Sequence, residues 1–309
     1  MHKVITLTLN PSLDKSTRVK SLVPEKKLQC AAPIVEPGGG GINVSRALQH
    51  IGVQSQALYL AGGYTGEQFN QLMAQQGVAT KAFPITENTR DNFIVVDNSN
   101  NAQYRFGLQG PTVSESEWQQ PLQYLASQTG YDWVIASGSL PPGVPVDFFG
   151  RLAAIVKKQK ARLIVDTSGE ALQHAVQEGV YLIKPNLGEL SFLYGVEELR
   201  QEQVVLAARN MISSGACEVV VVSMGASGAM LINHNQILQA VPPMVKRRST
   251  VGAGDSMVAG MVAAMIQQRP WLGVLQYGIA CGTAATMNEG AALCKGEDVA
   301  ILFQQMQHL

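Results

Sequence analysis

The chain lacks most of what marks a secreted, metal-clamped, nucleic-acid-binding or membrane-spanning protein. Its 309 residues hold only four cysteines, Cys30, Cys217, Cys281 and Cys294, with no C-x-x-C pair among them. That scatter argues against a disulfide framework and a zinc cluster, and makes a reducing, cytoplasmic compartment the expected environment. An excess of one charge is missing too: 23 Lys and Arg balance 23 Asp and Glu. Neither nucleic acid nor an anionic membrane is therefore an expected partner, and any field that attracts an anionic ligand has to be local. No uninterrupted apolar run approaches the ~20 residues of a membrane span. The opening residues, MHKVITLTLNPS, enter a strand-like pattern without an apolar leader. His2, His50, His174, His234 and His308 show no ligand spacing. Neither G-x-x-x-x-G-K-[ST] nor G-x-G-x-x-G occurs, which disfavours a P-loop nucleotidase and a dinucleotide-dependent dehydrogenase.

What is present is a rhythm of apolar bursts and amphipathic stretches. VITLTL, ALYLAG, WVIASGS, LIVDTS, YLIKPN and EVVVVSMG read as buried strands. Between them INVSRALQHIG, EQFNQLMAQQG, FFGRLAAIVKKQK, GEALQHAVQEG and a stretch ending near Met211 have helical spacing. Strands that are apolar throughout and alternate with helices predict a mostly parallel sheet covered on both faces, an α/β fold of one large domain spanning 1–309. Two segments, about 15–36 and 88–109, alternate polar and apolar residues, the second around an asparagine-rich turn. They predict a small β-sheet lid projecting from that body, and a surface suited to a dimer contact.

Glycine concentrates at PGGGGIN, AGGYTG, SMGASGA and TVGAGDS. The last is the most informative, because an apolar helix, MVAGMVAAMI, follows it at once. The backbone N–H groups of Gly252, Ala253 and Gly254 then fall at a helix N-terminus, which favours an anion such as a phosphoryl group. Asp255 beside them reads equally as a helix cap and as a carboxylate able to accept a hydroxyl proton. The neighbourhood favours the base. Lys184, Asn186 and Glu189, in KPNLGE, sit where a buried strand meets a helix at the sheet's carboxyl edge. Asn186 and Glu189 have the spacing of a capping box and equally suit the water shell of a nucleotide-bound Mg²⁺. Asp14 and Asn43 suit either turns or sugar hydroxyls. Arg90 and Arg105 suit either a solvated face or a phosphate.

Through LTLNPSLD, PGGGGINVSRA, TRDNF, QYRF, ASGSLPPG, VDTSGEAL, KPNLGEL, VVSMGASGA and STVGAGDSM, the chain resembles the ribokinase-like (PfkB) sugar kinases over essentially its whole length. The resemblance implies a three-layer α/β/α body with a β-sheet lid. It also implies phosphoryl transfer from ATP, with Mg²⁺, to a hydroxyl of a sugar phosphate. Asp255 would be the base and the Gly252, Ala253 and Gly254 amides the anion hole. Lys184, Asn186 and Glu189 would serve the nucleotide phosphates and Mg²⁺. Ser223, Gly225, Gly228, Thr250 and Asn288 would line the nucleotide pocket. Asp14, Gly39, Asn43, Arg90, Arg105 and Ser139 would hold the sugar. Lys27 would reach the partner's sugar site through the lid, implying a homodimer. Ser249, Val251, Ala285 and Gly290 would surround a K⁺ ion. Gly40 stands where the fructose-1-phosphate and tagatose-6-phosphate kinases of the family carry lysine, whereas Asn10 resembles that branch. Gly40 removes a phosphate-binding charge, so fructose 6-phosphate, the glycolytic acceptor, is the expected substrate. Kinases of the other two sugar phosphates and a non-catalytic sensor are the alternatives.

Overall fold

The computed structural model describes residues 3–307; His2 and His308 lie outside them. Nine strands form the main sheet. In it β1 (Val4–Thr8) is flanked on one side by β4 (Gln56–Ala61) and β5 (Ala79–Pro84). On the other side follow β8 (Trp133–Ser137), β9 (Arg162–Asp166), β10 (Val180–Ile183) and β11 (Cys217–Ser223). All of these pair in parallel. The sheet ends in two antiparallel strands, β12 (Ala229–Asn233) and β13 (Ile237–Ala240). The central strands are buried on both faces, as VITLT and WVIAS show, because helices cover both sides.

On one face lie α3 (Glu115–Ser127), α4 (Phe148–Lys158), α5 (Gly169–Glu178), α6 (Leu187–Tyr194) and α7 (Gln201–Ser213), around a core that includes Trp118, Phe148, Leu172, Leu190 and Val204. On the other lie α1 (Gly40–His50), α2 (Gly63–Ala74), α8 (Ala253–Ile266), α9 (Trp271–Thr286) and α10 (Gly296–Gln307). Helix α8 is buried from Ser256 to Ala264, which explains a sequence apolar all round rather than striped. It packs against α1, and that contact matters for the site.

The two polar segments supply a second, four-stranded sheet: β3 (Ile34–Gly38), β2 (Ser12–Val19), β6 (Arg90–Asp97) and β7 (Ala102–Gly107), in that spatial order. Only β6 and β7 form a tight hairpin, through the asparagine turn in which Asn101 takes φ 57°. Strands β2 and β3 are joined by the long connection 20–33, and β2 pairs with β6 in parallel. The register fixes which side chains share a face. Ser12 stands beside Arg90, Asp14 beside Asn92, Ser16 beside Ile94, and Arg18 beside Val96. Continuing into β7, Gly107, Arg105 and Gln103 complete the Asn92, Ile94 and Val96 rows. The opposite face carries Phe93, Tyr104 and Phe106, all exposed.

Two helix boundaries differ from expectation. Helix α2 starts at Gly63 rather than Glu67, because Gly63 takes φ 62° and the Asn88 side chain accepts from Tyr64 N at 3.1 Å. The stretch expected as one helix to Met211 is two helices, broken where Gly195 caps α6 in the left-handed conformation. Among the described residues no helix is long and apolar enough to cross a membrane.

Candidate active site

The parallel strands all deliver their carboxyl ends to one edge. The chain leaves β1 toward β4 on one side and resumes at β8 on the other, so the crevice of this sheet lies between β1 and β8. Asn10 follows β1 and Ser139 follows β8. Their side chains meet there, Asn10 Nδ2 donating to Ser139 Oγ at 3.1 Å. Gly39 precedes α1 with φ 112°, and a side chain on Gly40 has no room: a Cβ there would lie 2.1 Å from Ser137 Oγ and 2.7 Å from the Ser137 carbonyl carbon. The glycine run thus lets the start of α1 press against the end of β8.

Arg90 reaches this crevice from the lid. It donates to Leu108 O and to Asn10 O, each at 3.0 Å, and borders a cavity shared with Gly110 and Ser139. Burial lowers its pKa, partly offset by the charge of Asp14. Asp14, 6% exposed, accepts from Ser12 Oγ at 2.7 Å and Asn92 Nδ2 at 3.1 Å. Its carboxyl is raised above 3.8 because burial outweighs those two bonds and the Arg90 charge.

Asp255 is not the cap of α8. Gly252 occupies that position in the left-handed conformation, φ 70°, and Asp255 falls in the first turn. Its Oδ2 accepts from Asn43 Nδ2 at 2.9 Å, a bond that the packing of α1 on α8 brings together across 212 residues. Asn43 Oδ1 is buried with no protein partner, an acceptor that a sugar hydroxyl would satisfy. The Asp255 carboxyl is pushed up to about 7, first by burial and then by repulsion from Asp166, against the Asn43 bond and the Lys184 charge. A half-buried carboxylate with that proton affinity can exchange a proton near neutral pH.

Lys184, 8% exposed, pairs with Asp166 at 3.2 Å. Burial alone would lower its pKa, but the pair with Asp166 and the charges of Asp255 and Glu189 raise it, so the ammonium persists. A Cβ built on Gly254 would lie 3.5 Å from Lys184 Nζ, so the lysine stands beside the start of α8. Asp166 is the residue that sequence reasoning missed. Its signal was a lone carboxylate closing the buried strand LIVD at the carboxyl edge.

Asn186 and Glu189 do form the capping box: Asn186 Oδ1 accepts from Glu189 N, and Glu189 Oε2 from Asn186 N, both at 2.9 Å. Among the described residues no group of three or more His, Cys, Asp or Glu could hold a metal. That donor set suits a divalent ion carried by nucleotide phosphates and reached through water, not an all-protein cage. Ser223 N donates to Pro185 O at 2.9 Å, which ties the end of β11 to the KPN loop. Gly225 opens the following turn, and Gly228, φ 87°, would clash with Ala240 O if it bore a Cβ.

Ser249, Val251 and Gly290 converge: Ser249 Oγ donates to Gly290 O at 2.8 Å and accepts from Val251 N at 3.2 Å. Ala285 O accepts from Asn288 N at 3.2 Å on the adjoining loop. Ser249 Oγ, Gly290 O and Ala285 O are oxygens, the ligand chemistry a K⁺ ion needs. Asn288 turns its amide inward, donating to Ala284 O and Leu293 O. Arg105 lies over the same loop and donates to Thr250 Oγ1. Lys27 is exposed in the 20–33 connection and makes no ion pair or hydrogen bond with the cleft of its own chain among the described residues.

Residues 8–297 match the model of the pfkB family carbohydrate kinases. The chain is 43% identical over 300 residues to the ATP-dependent 6-phosphofructokinase isozyme 2 of Escherichia coli K12, spanning 96% of this chain and 97% of that protein. It is 34% identical over 286 residues to the 1-phosphofructokinase of Bacillus subtilis 168, spanning 93% of each. The crystal structure of E. coli phosphofructokinase-2 in complex with potassium superposes with a TM-score of 0.95 at 40% identity, covering 99% of this chain and 100% of that one. The tetrameric inhibited form of the same E. coli protein gives 0.94 at 39% identity, with 99% and 100% covered.

Proposed function

The chain belongs to the pfkB family of carbohydrate kinases, and we propose that within it the protein transfers the γ-phosphoryl group of ATP to the free primary hydroxyl of fructose 6-phosphate, giving fructose 1,6-bisphosphate and ADP. The observation that carries the catalytic assignment is the Asp255 carboxylate, held by Asn43 beside the unpaired amides that start α8. In this reading Asp255 accepts the hydroxyl proton while the sugar oxygen bonds to the γ-phosphorus and the bond to the ADP oxygen breaks. The amides of Gly252, Ala253 and Gly254, with the Lys184 ammonium, meet the negative charge that moves between the two oxygens. Asp166 keeps that ammonium in place. When bound, Mg²⁺ supplies further neutralisation of the phosphate oxygens, with Asn186 and Glu189 the residues that would hold its water shell.

Asp14 and Asn43 are assigned to sugar hydroxyls, and Arg90 with Ser139 to the phosphate the acceptor already carries. Gly40 favours fructose 6-phosphate, because it lacks the phosphate-binding charge of the lysine that the fructose-1-phosphate and tagatose-6-phosphate kinases carry there, and the Ser137 contact leaves no room for a side chain in its place. Ser249, Val251, Ala285 and Gly290 are the residues that would hold K⁺, an ion present in one E. coli structure. Homodimerisation through the lid accounts for Lys27, which would act in the partner's site, and for the exposed Phe93, Tyr104 and Phe106.

Release of ADP with fructose 6-phosphate, fructose 1-phosphate and tagatose 6-phosphate tests the whole reading. Fructose 6-phosphate is expected to give the highest kcat/KM. A preference for either isomer would overturn the substrate assignment, and no turnover with any of them would leave the sensor alternative standing.

A further inference from the structure

The catalytic reading leaves Arg18, Gln103 and Glu289 without a job, although they join the lid to the nucleotide side of the cleft. Arg18 and Gln103 lie in the outermost row of the lid's inner face, on either side of Val96. This is the row farthest from Ser12 and Arg90, where the lid leaves the body. From it Arg18 Nη2 reaches Glu289 Oε2 at 2.8 Å, and Gln103 Nε2 reaches Ser249 Oγ at 3.2 Å. Neither contact involves a group assigned to the reacting atoms.

The hydroxyl that Gln103 meets is a junction. Ser249 is buried, and its Oγ also donates to Gly290 O and accepts from Val251 N. Val251 is next to Gly252, the cap of α8, so the chain of contacts runs from the lid to the start of the anion hole. Glu289, the partner of Arg18, sits next to Gly290 on the second of these loops. The fit between lid and loop is close there: a Cβ on Gly290 would come within 2.9 Å of Ser16 Oγ, one row nearer the hinge than Arg18. Glu289 also pairs with Arg248, at 3.2 Å, but Arg248 belongs to the body and adds nothing to the hold on the lid.

We infer that Arg18 and Gln103 are positioning residues that clasp the lid onto the 249–251 and 289–290 loops, so that the sugar side closes only over an ordered nucleotide side. The inference rests on the kinase reading above for its kinetic consequence, and on the contacts alone for its structural one. The Arg18–Glu289 pair is exposed and the Gln103 bond is a single neutral one, so the clasp is weak and reversible, as a lid that opens every turnover requires. Holding the lid shut lowers KM for the sugar and keeps water from the γ-phosphate.

The test uses the full chain and the double variant Arg18→Ala, Gln103→Ala. The expected result is a KM for fructose 6-phosphate raised about three- to tenfold, with kcat within about twofold, the loss of one exposed ion pair and one neutral hydrogen bond. ATP hydrolysis in the absence of sugar is expected to rise relative to sugar-dependent turnover. Arg248→Ala, which removes the other Glu289 pair, is expected to change neither. Wild-type behaviour of the double variant would overturn the clasp, and so would an equal KM rise in Arg248→Ala, which would mean that only the charge at the mouth matters. If wild type turned over no sugar phosphate, the kinase reading would fail instead. Amide hydrogen exchange of residues 12–19 and 102–107 would then decide the clasp: faster exchange in the double variant supports it, unchanged exchange refutes it.

Discussion

Replacing Asp255 by asparagine separates what this carboxylate does for catalysis from what it costs the fold. The substitution keeps the shape and an oxygen to accept from Asn43 Nδ2. It removes a charge that burial and Asp166 oppose, raising the carboxyl from 3.8 to about 7. At roughly 1.4 kcal/mol per tenfold change in proton affinity, the ionised form carries a ceiling of ~4 kcal/mol. Cleft water reaches the half-buried group and screens part of this, leaving about 1–2 kcal/mol. The sign follows from proton linkage. An acid with a raised folded pKa binds its proton more tightly folded than unfolded, so stability falls as pH climbs from about 4 to about 7 and stays low above that. Asp255→Asn is therefore expected to be the more stable protein at pH 8, by about 2–3 °C in Tm for a chain of this length, with the gap roughly halved at pH 5.5. Its kcat is expected to fall about 10²–10⁴-fold. Wild-type kcat/KM should rise with pH through about 7 as Asp255 ionises. Thermal melts at the two pH values and ADP release across pH 5.5–9 are the measurements. A variant that kept more than about a tenth of wild-type kcat would refute the base, because general-base loss is larger than that. A variant less stable than wild type at pH 8 would refute the electrostatic account.

Three further outcomes follow from neighbouring contacts. Asn43→Ala removes the bond that lowers the Asp255 pKa, so the inflection in kcat/KM should move above about 7, with activity down roughly tenfold; an inflection that moved down would contradict the assignment. Gly40→Ala forces a Cβ against Ser137 and the Gly138 amide, and a stability loss of about 2 kcal/mol or more in urea unfolding is expected, with a raised KM for the sugar. Lys184→Met strips the counter-charge from Asp166 beside Asp255, and a loss of about 3 kcal/mol at pH 8 together with a rise in KM for ATP is expected; unaltered ATP affinity would remove Lys184 from the nucleotide side.

The elements legible in the sequence were those set by local pattern. VITLT and WVIAS are buried at every residue because both faces of their strands are covered. Polar alternation in the lid strands follows from one face lining the cleft and the other lying open. What stayed hidden depended on partners distant in sequence. Helix α2 gains its first turn from Asn88, which accepts from Tyr64 N 24 residues earlier. The long connection between β2 and β3, and the parallel pairing of β2 with β6, have no turn signature to betray them. Asp166 was passed over because a carboxylate at a strand end means little until Lys184, on the next strand, is seen beside it.

Asp255 shows where local reading ends. A carboxylate that closes TVGAGD fits a cap as well as a base, and propensity cannot separate the two. The backbone does, because Gly252 alone can take the left-handed turn that starts α8, and this moves the carboxylate off the cap and into the first turn. There it faces Asn43 instead of its own helix amides. Those amides are then left to an incoming anion, and the same geometry that frees them denies Asp255 the hydrogen bonds that would have lowered its pKa. Asp166 adds repulsion, and Lys184 limits it. A net-neutral chain has thus gathered a few opposed charges into one crevice, where a carboxylate stays basic near pH 7 and an ammonium stays charged beside it. Neither property resides in the GAGD stretch; both come from α1, β9 and β10, which the fold brings to the start of α8.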